Sequence, residues 1–336
     1  MQKTILIIND NLPEQINGVN TTYHNIEPYA IADGYNIVTI NPESFTYFNC
    51  PKYNEIKLSI PIRLGKKIKE INPDYIHIAT EGPLGLSAKM YLDRKKIPYT
   101  TAYHTKFPEA IDKLLHVPEK HTWKLIRWFH KKSKTVLTTT DRMVEQLTSN
   151  GFKSKIVPWT RGVDRDIFNP ARRTRTNEDD RKYLVCISRI SKEKNLEDFL
   201  NMDYPKSRKI MVGDGPMRKI YEKKYPDVEF VGFKTGIELA EYYANADVFV
   251  FPSQWETFGL VMIEAIACGT PVAAYRCQGP LDIIDDGITG YMDEYLPNAV
   301  HRCIGLSRDK VYEGSQRWTW DSAWQIFKNN MVEATQ

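Results

Sequence analysis

Two glutamates, Glu256 and Glu264, stand eight residues apart at the start of an apolar run that we predict to be helical. Eight residues are slightly more than two helical turns, so we expect both carboxylates on one face of the helix. The apolar run 247–251 reads as a buried strand that enters this helix through a Pro-Ser loop. A strand, a short loop and a helix N-terminus form an anion site, because the first N–H groups are unpaired and the helix dipole is positive there.

Carboxylates beside an anion site would repel a phosphate, but they accept hydrogen bonds from hydroxyl groups. The pair therefore indicates a ligand in which phosphate is joined to polyols, which is the composition of a nucleotide sugar. Arg189 and Lys194 follow another predicted strand, 183–187, at the corner where a helix begins. Two cations at such a corner can clamp a diphosphate, although ordinary surface charge would leave the same pattern.

Further candidate residues follow other predicted strands. Gly18, in the loop after strand 4–8, either lets the backbone approach a phosphate or serves a turn. His104 comes directly after strand 97–103, at the edge where open parallel sheets bind ligands. It could hydrogen-bond a substrate hydroxyl or simply bond to backbone, and its position alone leaves both readings open.

The second half of the chain adds a turn and a short strand. Gly213 opens a Gly-Asp-Gly-Pro turn after the predicted strand 209–212. The backbone of strand 229–233, which includes Val231 and Phe233, could hydrogen-bond a nucleotide base.

The elements that must position these residues alternate between strands and helices, which predicts two α/β doubly wound parallel sheets. In the first half we predict strands at 4–8, 35–40, 75–79, 97–103 and 135–139. In the second half we predict strands at 183–187, 209–212, 229–233, 247–251 and 271–274. The predicted organisation is a first domain at 1–168, a linker at 169–182, a second domain at 183–316, and a closing aromatic helix at 317–336 that docks back on the first domain.

Composition limits the class of protein. A chain of 336 residues has room for two domains, and 42% hydrophobic with 26% charged residues fits a folded globular protein. Five scattered cysteines without C-x-x-C spacing predict a reducing cytoplasmic location, with no disulfide framework and no zinc site. Because no apolar run approaches about 20 residues, any contact with the inner membrane face would be peripheral.

Positive charge is concentrated in the first half. Residues 1–168 contain 24 Lys and Arg against 17 Asp and Glu, a formal charge of +7. Residues 110–134 combine tryptophans with lysines, a composition that can bind an anionic membrane surface or line a polyanion groove. An ordinary domain helix with its aromatic side inward is the simpler interpretation, and we favour it for most of these side chains.

In order along nearly the whole chain, these motifs resemble the retaining GT-B glycosyltransferases of family four. The Glu-x7-Glu pair inside Pro-Ser-x-x-Glu-Thr-Phe-Gly-Leu is the most specific of them. His-Thr-Lys-Phe-Pro-Glu and Trp-x-Arg-Gly-Val-Asp resemble the branch of bacterial glycosyl- and sulfoquinovosyl-diacylglycerol synthases and related mannosyltransferases. The chain departs from the pattern in its short 195–209 segment and in Gln278-Gly279, where a glycine pair is commoner.

The resemblance implies two Rossmann-like domains that face each other across a cleft, with the nucleotide on the second domain. It implies that Arg189 and Lys194 bind the donor diphosphate, Glu256 the donor sugar and Glu264 the ribose. It further implies a phosphate cradle at the N–H groups of Phe258, Gly259 and Leu260, with Gly18 closing on the diphosphate and His104 near the sugar. The expected co-substrate is a UDP-sugar, with a GDP-sugar second, and no metal or other cofactor is expected.

Several functions stay open at this point. The acceptor could be a lipid or a glycan, or modified DNA, as in some phage enzymes. A non-catalytic nucleotide-sugar binder or a sugar phosphorylase is a second class of function. A dinucleotide-dependent oxidoreductase is disfavoured, because the first loop lacks the G-x-G-x-x-G fingerprint.

Overall fold

The computed structural model describes residues 2–50, 53–104, 118–176, 180–254 and 256–335. Its contacts divide the chain into two units, the first made of Met1–Arg161 with Trp320–Gln336 and the second of Gly162–Thr319. The sequence predicted the end of the first domain at residue 168, but the structure divides the chain after Arg161. The boundary is earlier because Val163 and Phe168 are buried in the core of unit 2.

Unit 1 is built on a parallel sheet of six strands. The strands of unit 1, including two outside this sheet, are β1 Lys3–Ile8, β2 Tyr35–Ile40, β3 Thr46–Cys50, β4 Tyr53–Ile60, β5 Tyr75–Ile78, β6 Thr100–Tyr103, β7 Thr135–Thr138 and β8 Lys155–Pro158. The sheet order is β2-β1-β5-β6-β7-β8, and β3 pairs with β4 as a separate antiparallel hairpin. The described helices before residue 160 are α1 Gly18–Ala32, α2 Leu64–Ile71, α3 Pro83–Lys95, α4 Glu119–His130 and α5 Asp141–Ser149.

The central strands of unit 1 follow from their composition. Ile5, Leu6, Ile7 and Ile8 of β1 are all fully buried, as expected of a parallel strand covered on both faces. The sequence did not predict this hairpin, because strand β3 is exposed: Tyr47 is 40% and Phe48 51% accessible. Strand β3 therefore carries no buried apolar run of the kind that identifies the sheet strands.

Unit 2 repeats the architecture with a second parallel sheet of six strands. They are β9 Lys182–Ile187, β10 Ser207–Val212, β11 Val228–Gly232, β12 Val248–Phe251, β13 Val272–Ala274 and β14 Gly290–Met292, in the order β11-β10-β9-β12-β13-β14. The described helices are α6 Glu197–Leu200, α7 Arg218–Lys224, α8 Gly236–Asn245, α9 Leu260–Ala267, α10 Pro280–Ile283, α11 Leu296–Cys303 and α12 Arg308–Gly314.

At the edge of this sheet, Gly290 begins strand β14 and pairs with Val272. A Cβ atom at Gly290 would lie 2.0 Å from the Val272 carbonyl oxygen, so only glycine lets the two backbones approach this closely.

The last helix, α13 Trp320–Asn330, belongs to unit 1, where it packs on α1. The indole N–H of Trp324 donates to Asp33 at 2.6 Å, and the Trp159 indole donates to the Ala323 carbonyl at 2.8 Å. The predicted heavy aromatic face is thus a packing face, with Trp324 and Phe327 almost fully buried. Within the described ranges, no helix has the length and apolar character needed to cross a bilayer.

Candidate functional site

The sheet order of unit 2 changes direction between β9 and β12, because β10 lies on one side of β9 and β12 on the other. Loops that leave the carboxyl ends of strands at such a switch point diverge and open a crevice for a ligand. Lys194 follows β9 and Glu256 follows β12, and their side chains form an ion pair, each about a quarter exposed. The structure therefore brings together two of the residues that the sequence singled out.

The geometry expected for the two glutamates was wrong. Helix α9 begins at Leu260, so Glu256 lies in the preceding loop and shares no helix face with Glu264. The interruption is at Gly259, whose φ of +95° is in the left-handed region that favours glycine. Phe258 is buried, with its ring 5.4 Å from that of Trp318 in an edge-on arrangement, and thereby anchors the loop to the core.

Glu264 has a different environment on α9. The hydroxyl of Tyr243, on α8, donates a hydrogen bond to its Oε2 at 2.8 Å. Burial raises the pKa of Glu264 from 4.5 to about 7, against the opposing effect of the Tyr243 hydrogen bond. The carboxyl group consequently changes its charge near neutral pH. The sequence did not identify Tyr243 as a partner of Glu264, because it is one tyrosine among others in an ordinary amphipathic helix.

The Gly213 turn holds the loop after β9 in place. Gly213 has φ +134°, and a Cβ atom there would lie 2.0 Å from the Ser188 carbonyl oxygen. A Cβ atom at Gly215 would lie 2.4 Å from the carbonyl oxygen of Ile190. The two glycines thus let the turn pack directly on the backbone that carries Arg189, whose side chain is exposed.

The strand predicted to contact a base adjoins the same turn. The Gly213 N–H donates to the Gly232 carbonyl at 2.8 Å, at the end of β11. Val231 packs against the core of unit 2, while Phe233 is 52% exposed beyond the strand. Phe233 is therefore the one of this pair whose side chain is accessible to a ligand.

In unit 1, the loop between β1 and α1 is fixed by asparagine side chains. Asn17 caps α1 by accepting hydrogen bonds from the N–H groups of Val19 and Asn20, both at 3.0 Å. Asn20 in turn donates to the carbonyls of Leu12 and Gln15, both at 2.7 Å. Gly18 is the first residue of α1 and is exposed, so its backbone lies at an accessible helix N-terminus.

His104 directly follows β6, and its ring is held by a buried arginine. Arg161, which is 3% exposed, donates from Nη2 to His104 Nδ1 at 3.0 Å. Because a guanidinium can only donate, Nδ1 must be the acceptor and the proton of the neutral ring is on Nε2. Burial, followed by the positive charge of Arg161, holds the pKa of His104 well below its usual range.

The contact with Arg161 begins a chain of polar groups through unit 1. His104 Nε2 lies 3.4 Å from the Tyr23 hydroxyl, which lies 2.8 Å from His77 Nε2. His77 Nδ1 is 2.8 Å from Thr100 Oγ1, and burial lowers the pKa of His77 to about 3. With the direction set by Arg161, each group can donate to the next, from His104 to Tyr23, His77 and Thr100. Of these partners only Arg161 had a signal in the sequence, inside Trp-x-Arg-Gly-Val-Asp.

Parts of four predictions lie outside the described residues. Positions 105–117 include most of the His-Thr-Lys-Phe-Pro-Glu motif and the beginning of the 110–134 stretch. Position 255 belongs to the Pro-Ser-x-x-Glu motif, and positions 177–179 belong to the predicted linker. In the described part of the stretch, α4 buries Trp123, Ile126 and Phe129. Leu125 and Trp128 remain 55% and 44% exposed.

Two family models match consecutive parts of the chain. Residues 16–167 match the family described as Glycosyltransferase Family 4, and residues 168–296 match the one described as Glycosyl transferases group 1. The chain is 30% identical over 319 residues to a sulfoquinovosyl transferase of Arabidopsis thaliana, covering 85% of this chain but only 62% of that protein. It is 26% identical to a GDP-mannose-dependent alpha-mannosyltransferase of Corynebacterium glutamicum, covering 95% of this chain and 86% of the relative.

An alpha-monoglucosyldiacylglycerol synthase of Acholeplasma laidlawii is 24% identical, with 71% of this chain and 69% of that protein covered. Among solved structures, HepE of Anabaena in complex with UDP-glucose superposes with a TM-score of 0.72 at 16% identity, over 97% of this chain and 98% of that one. The two matched models, in this order on two Rossmann-like units with parallel sheets, give the family assignment. The chain belongs to the GT-B glycosyltransferases of family 4, also called group 1, a family of enzymes that transfer sugars.

Proposed function

We propose that this chain transfers a hexosyl or related group from a nucleotide-sugar donor to a hydroxyl of a lipid or glycan acceptor, with retention of anomeric configuration. The observation that carries the proposal is the Lys194–Glu256 pair at the β9/β12 switch point. It sets a cation suited to phosphate beside a carboxylate suited to sugar hydroxyls, as a nucleotide sugar requires.

Lys194 and Arg189 are the groups we assign to the donor diphosphate. A lysine ammonium has three N–H donors, and the bond to Glu256 uses one of them. The others can reach phosphate oxygens while Glu256 accepts from hydroxyls of the sugar. The N–H groups of Phe258, Gly259 and Leu260, at the start of α9, supply further donors at the positive end of the helix dipole.

Glu264 is the group we assign to the ribose. Tyr243 donates to its Oε2, so Oε1 is the oxygen we assign to a ribose hydroxyl. Because burial raises the pKa of Glu264 to about 7, hydroxyl donors from the nucleotide would favour its ionised form. Nucleotide binding should therefore be accompanied by proton release around neutral pH.

The proposed reaction takes place on one face of the donor sugar. The bond between the anomeric carbon and the diphosphate oxygen breaks with its electron pair going to the diphosphate. The acceptor oxygen then bonds to the anomeric carbon from the same side, and the acceptor proton passes to the departing diphosphate. Positioning and stabilisation of the departing charge supply most of the catalysis.

His104 is assigned to the surroundings of the donor sugar in its neutral form. Its Nδ1 accepts from Arg161, and its pKa lies well below the usual range. A proton acceptor in this reaction must be able to take up the acceptor proton near neutral pH. His104 is poorly suited to this role, and we assign the acceptor proton to the departing diphosphate.

The choice of donor and acceptor draws on the relatives. UDP-glucose is bound in the Anabaena structure, while the Corynebacterium relative is described as GDP-mannose-dependent, so we rank UDP-sugars first and GDP-sugars second. The Acholeplasma relative is described as an alpha-monoglucosyldiacylglycerol synthase, which supports a lipid acceptor. We propose a cytoplasmic protein that works without a metal or another cofactor, peripheral to the membrane when the acceptor is a lipid.

The test is release of nucleoside diphosphate from UDP-glucose or GDP-mannose, measured with and without a diacylglycerol acceptor and with EDTA present. We expect release that depends on the acceptor and fails in Lys194→Met. Lys224→Met is the matched control, because Lys224 forms a similar lysine–glutamate pair with Glu197 in the same unit. No turnover of any common donor would overturn the proposal, and sugar phosphate formed from inorganic phosphate would identify a phosphorylase instead.

A further inference from the structure

The turn that carries Lys194 ends in a left-handed residue. Asn195 directly follows the short 3₁₀ turn Lys192–Lys194 and has φ +53°. Asparagine adopts this region more readily than most residues, but residues other than glycine populate it sparsely. The Lys194 N–H donates to the Ser191 carbonyl at 3.2 Å and the Asn195 N–H to the Lys192 carbonyl at 3.3 Å, both long for such bonds. The backbone of the turn therefore holds Lys194 loosely, and contacts from outside the turn decide how well it is fixed.

Asp198 supplies such a contact from helix α6. Its Oδ2 accepts hydrogen bonds from Asn195 Nδ2 at 2.5 Å and from the Tyr275 hydroxyl at 2.6 Å. Bonds to a carboxylate are stronger than bonds between neutral groups. Asn195 Nδ2 also donates to the Pro252 carbonyl at 3.5 Å. We call Asn195, Asp198 and Tyr275 the clamp, because one carboxylate oxygen joins the residue next to Lys194 to a tyrosine 77 positions further along the chain than Asp198.

The outer contacts of the clamp belong to two neighbouring loops. Pro252 follows β12, whose loop carries Glu256, and Tyr275 follows β13. In the sheet β9 adjoins β12 and β12 adjoins β13, so the three parallel strands end side by side at the carboxyl edge. The turn after β9 is thus tied to the loops after β12 and β13, at the switch point where Lys194 meets Glu256.

We propose that the clamp positions Lys194 for the donor diphosphate. Its three side chains act through Lys194 and need no contact with the donor, so they are positioning residues. A lysine that is already held in the binding geometry loses less conformational freedom when the ligand arrives, which strengthens binding. The effect on binding rests on the proposed role of Lys194, whereas the order of its turn is a property of the protein without any ligand.

The test is isothermal titration of UDP into Asp198→Ala and Tyr275→Phe. If Asp198 acted through its charge alone, Asp198→Ala would bind UDP more tightly, because a negative charge near an anionic ligand is removed. The clamp predicts the opposite sign: both variants should bind UDP at least about threefold more weakly, as is typical of coupling within one hydrogen-bond network. In a Lys194→Met background neither substitution should weaken UDP binding further.

Glu197→Ala and Tyr225→Phe are the matched controls. Glu197 precedes Asp198 on α6 and accepts a hydrogen bond from the Tyr225 hydroxyl at 3.0 Å, so the same kind of contact is removed from the same helix. Both controls should bind UDP like the wild-type protein. The proposal is overturned if the clamp variants bind UDP as tightly as the wild-type protein or more tightly, or if they weaken it equally with and without Lys194.

Hydrogen exchange of the Lys194 and Asn195 amides, followed by NMR without nucleotide, gives a second readout. Exchange should be at least about threefold faster in Tyr275→Phe than in the wild-type protein, and unchanged in Tyr225→Phe. Equal exchange in Tyr275→Phe and the wild-type protein would also overturn the proposal. A wild-type protein that binds no UDP but shows the faster exchange in Tyr275→Phe would refute the proposed donor binding and support the clamp.

Discussion

The partly buried carboxyl group of Glu264 makes the stability of unit 2 depend on pH. Its pKa is about 7 in the folded protein, against 4.5 for an unperturbed glutamate. Between these two values the folded state binds more protons than the unfolded state, so stability is full below about pH 4.5 and falls as pH rises towards 7. A pKa difference of this size corresponds to roughly 3 kcal/mol, at ~1.4 kcal/mol per unit.

Glu264→Gln removes this ionisation while keeping an oxygen that can accept from Tyr243. The variant should therefore gain stability relative to the wild-type protein as pH rises, by up to roughly 3 kcal/mol between pH 4.5 and pH 8. At roughly 2–4 °C per kcal/mol for a domain of this size, the difference in Tm should change by about 6–12 °C. Scanning calorimetry of both proteins across this pH range measures it directly.

Glu313→Gln is the control, because it removes an exposed carboxylate from the same unit. Its Tm difference from the wild-type protein should stay constant with pH. A Glu264→Gln difference that is equally constant would refute the argument, since the Glu264 carboxyl would then pay no cost for ionisation in the folded protein. If the ribose bonds to Glu264, stabilisation by UDP should also grow from pH 5.5 to pH 8 in the wild-type protein only.

Three further outcomes follow from the site. Arg161→Met should lower kcat at least about tenfold with little change in the donor KM, because the ring of His104 loses the hydrogen-bond donor that fixes its orientation. Nitrogen chemical shifts of the variant that still place the His104 proton on Nε2 would contradict this explanation. Gly213→Ala should abolish UDP binding and lower Tm, because its Cβ would collide with the Ser188 carbonyl. Gly305→Ala, at φ +93° with open space around it, should lose stability only and keep UDP binding. Donor turnover should be unchanged by EDTA, and its loss together with recovery on adding Mg²⁺ would refute metal independence.

The sequence was informative where one local pattern decides the structure. Ile5 to Ile8 and Val248 to Phe251 are apolar runs that become fully covered parallel strands, and the ends of such strands identify the loops that carry Lys194 and Glu256. The motifs of the family then indicated which of these loops carry functional residues. The exposed strand β3 has no such pattern, and its hairpin with β4 could not be found in this way.

Other features depend on contacts between residues far apart in sequence. The prediction that Glu256 and Glu264 share a helix face was wrong because Gly259 adopts a left-handed conformation. A count of residues per helical turn cannot reveal such a conformation. The protonation state of His104 is set by Arg161, 57 residues away in the chain, and by burial. The pKa of Glu264 likewise depends on the packing of α8 against α9.

Lys194 and Glu256 are the residues through which we propose that unit 2 binds a nucleotide sugar. Isothermal titration of UDP-glucose and UDP into the wild-type protein, Lys194→Met and Glu256→Gln tests this proposal most directly. We expect Lys194→Met to weaken both ligands at least about tenfold, as loss of a charge-assisted contact of roughly 1.5–3 kcal/mol implies. Glu256→Gln should weaken UDP-glucose while leaving UDP nearly unchanged, because only the former carries the sugar. Equal affinities of all three proteins for both ligands would contradict the assignment of Lys194 and Glu256 to donor binding.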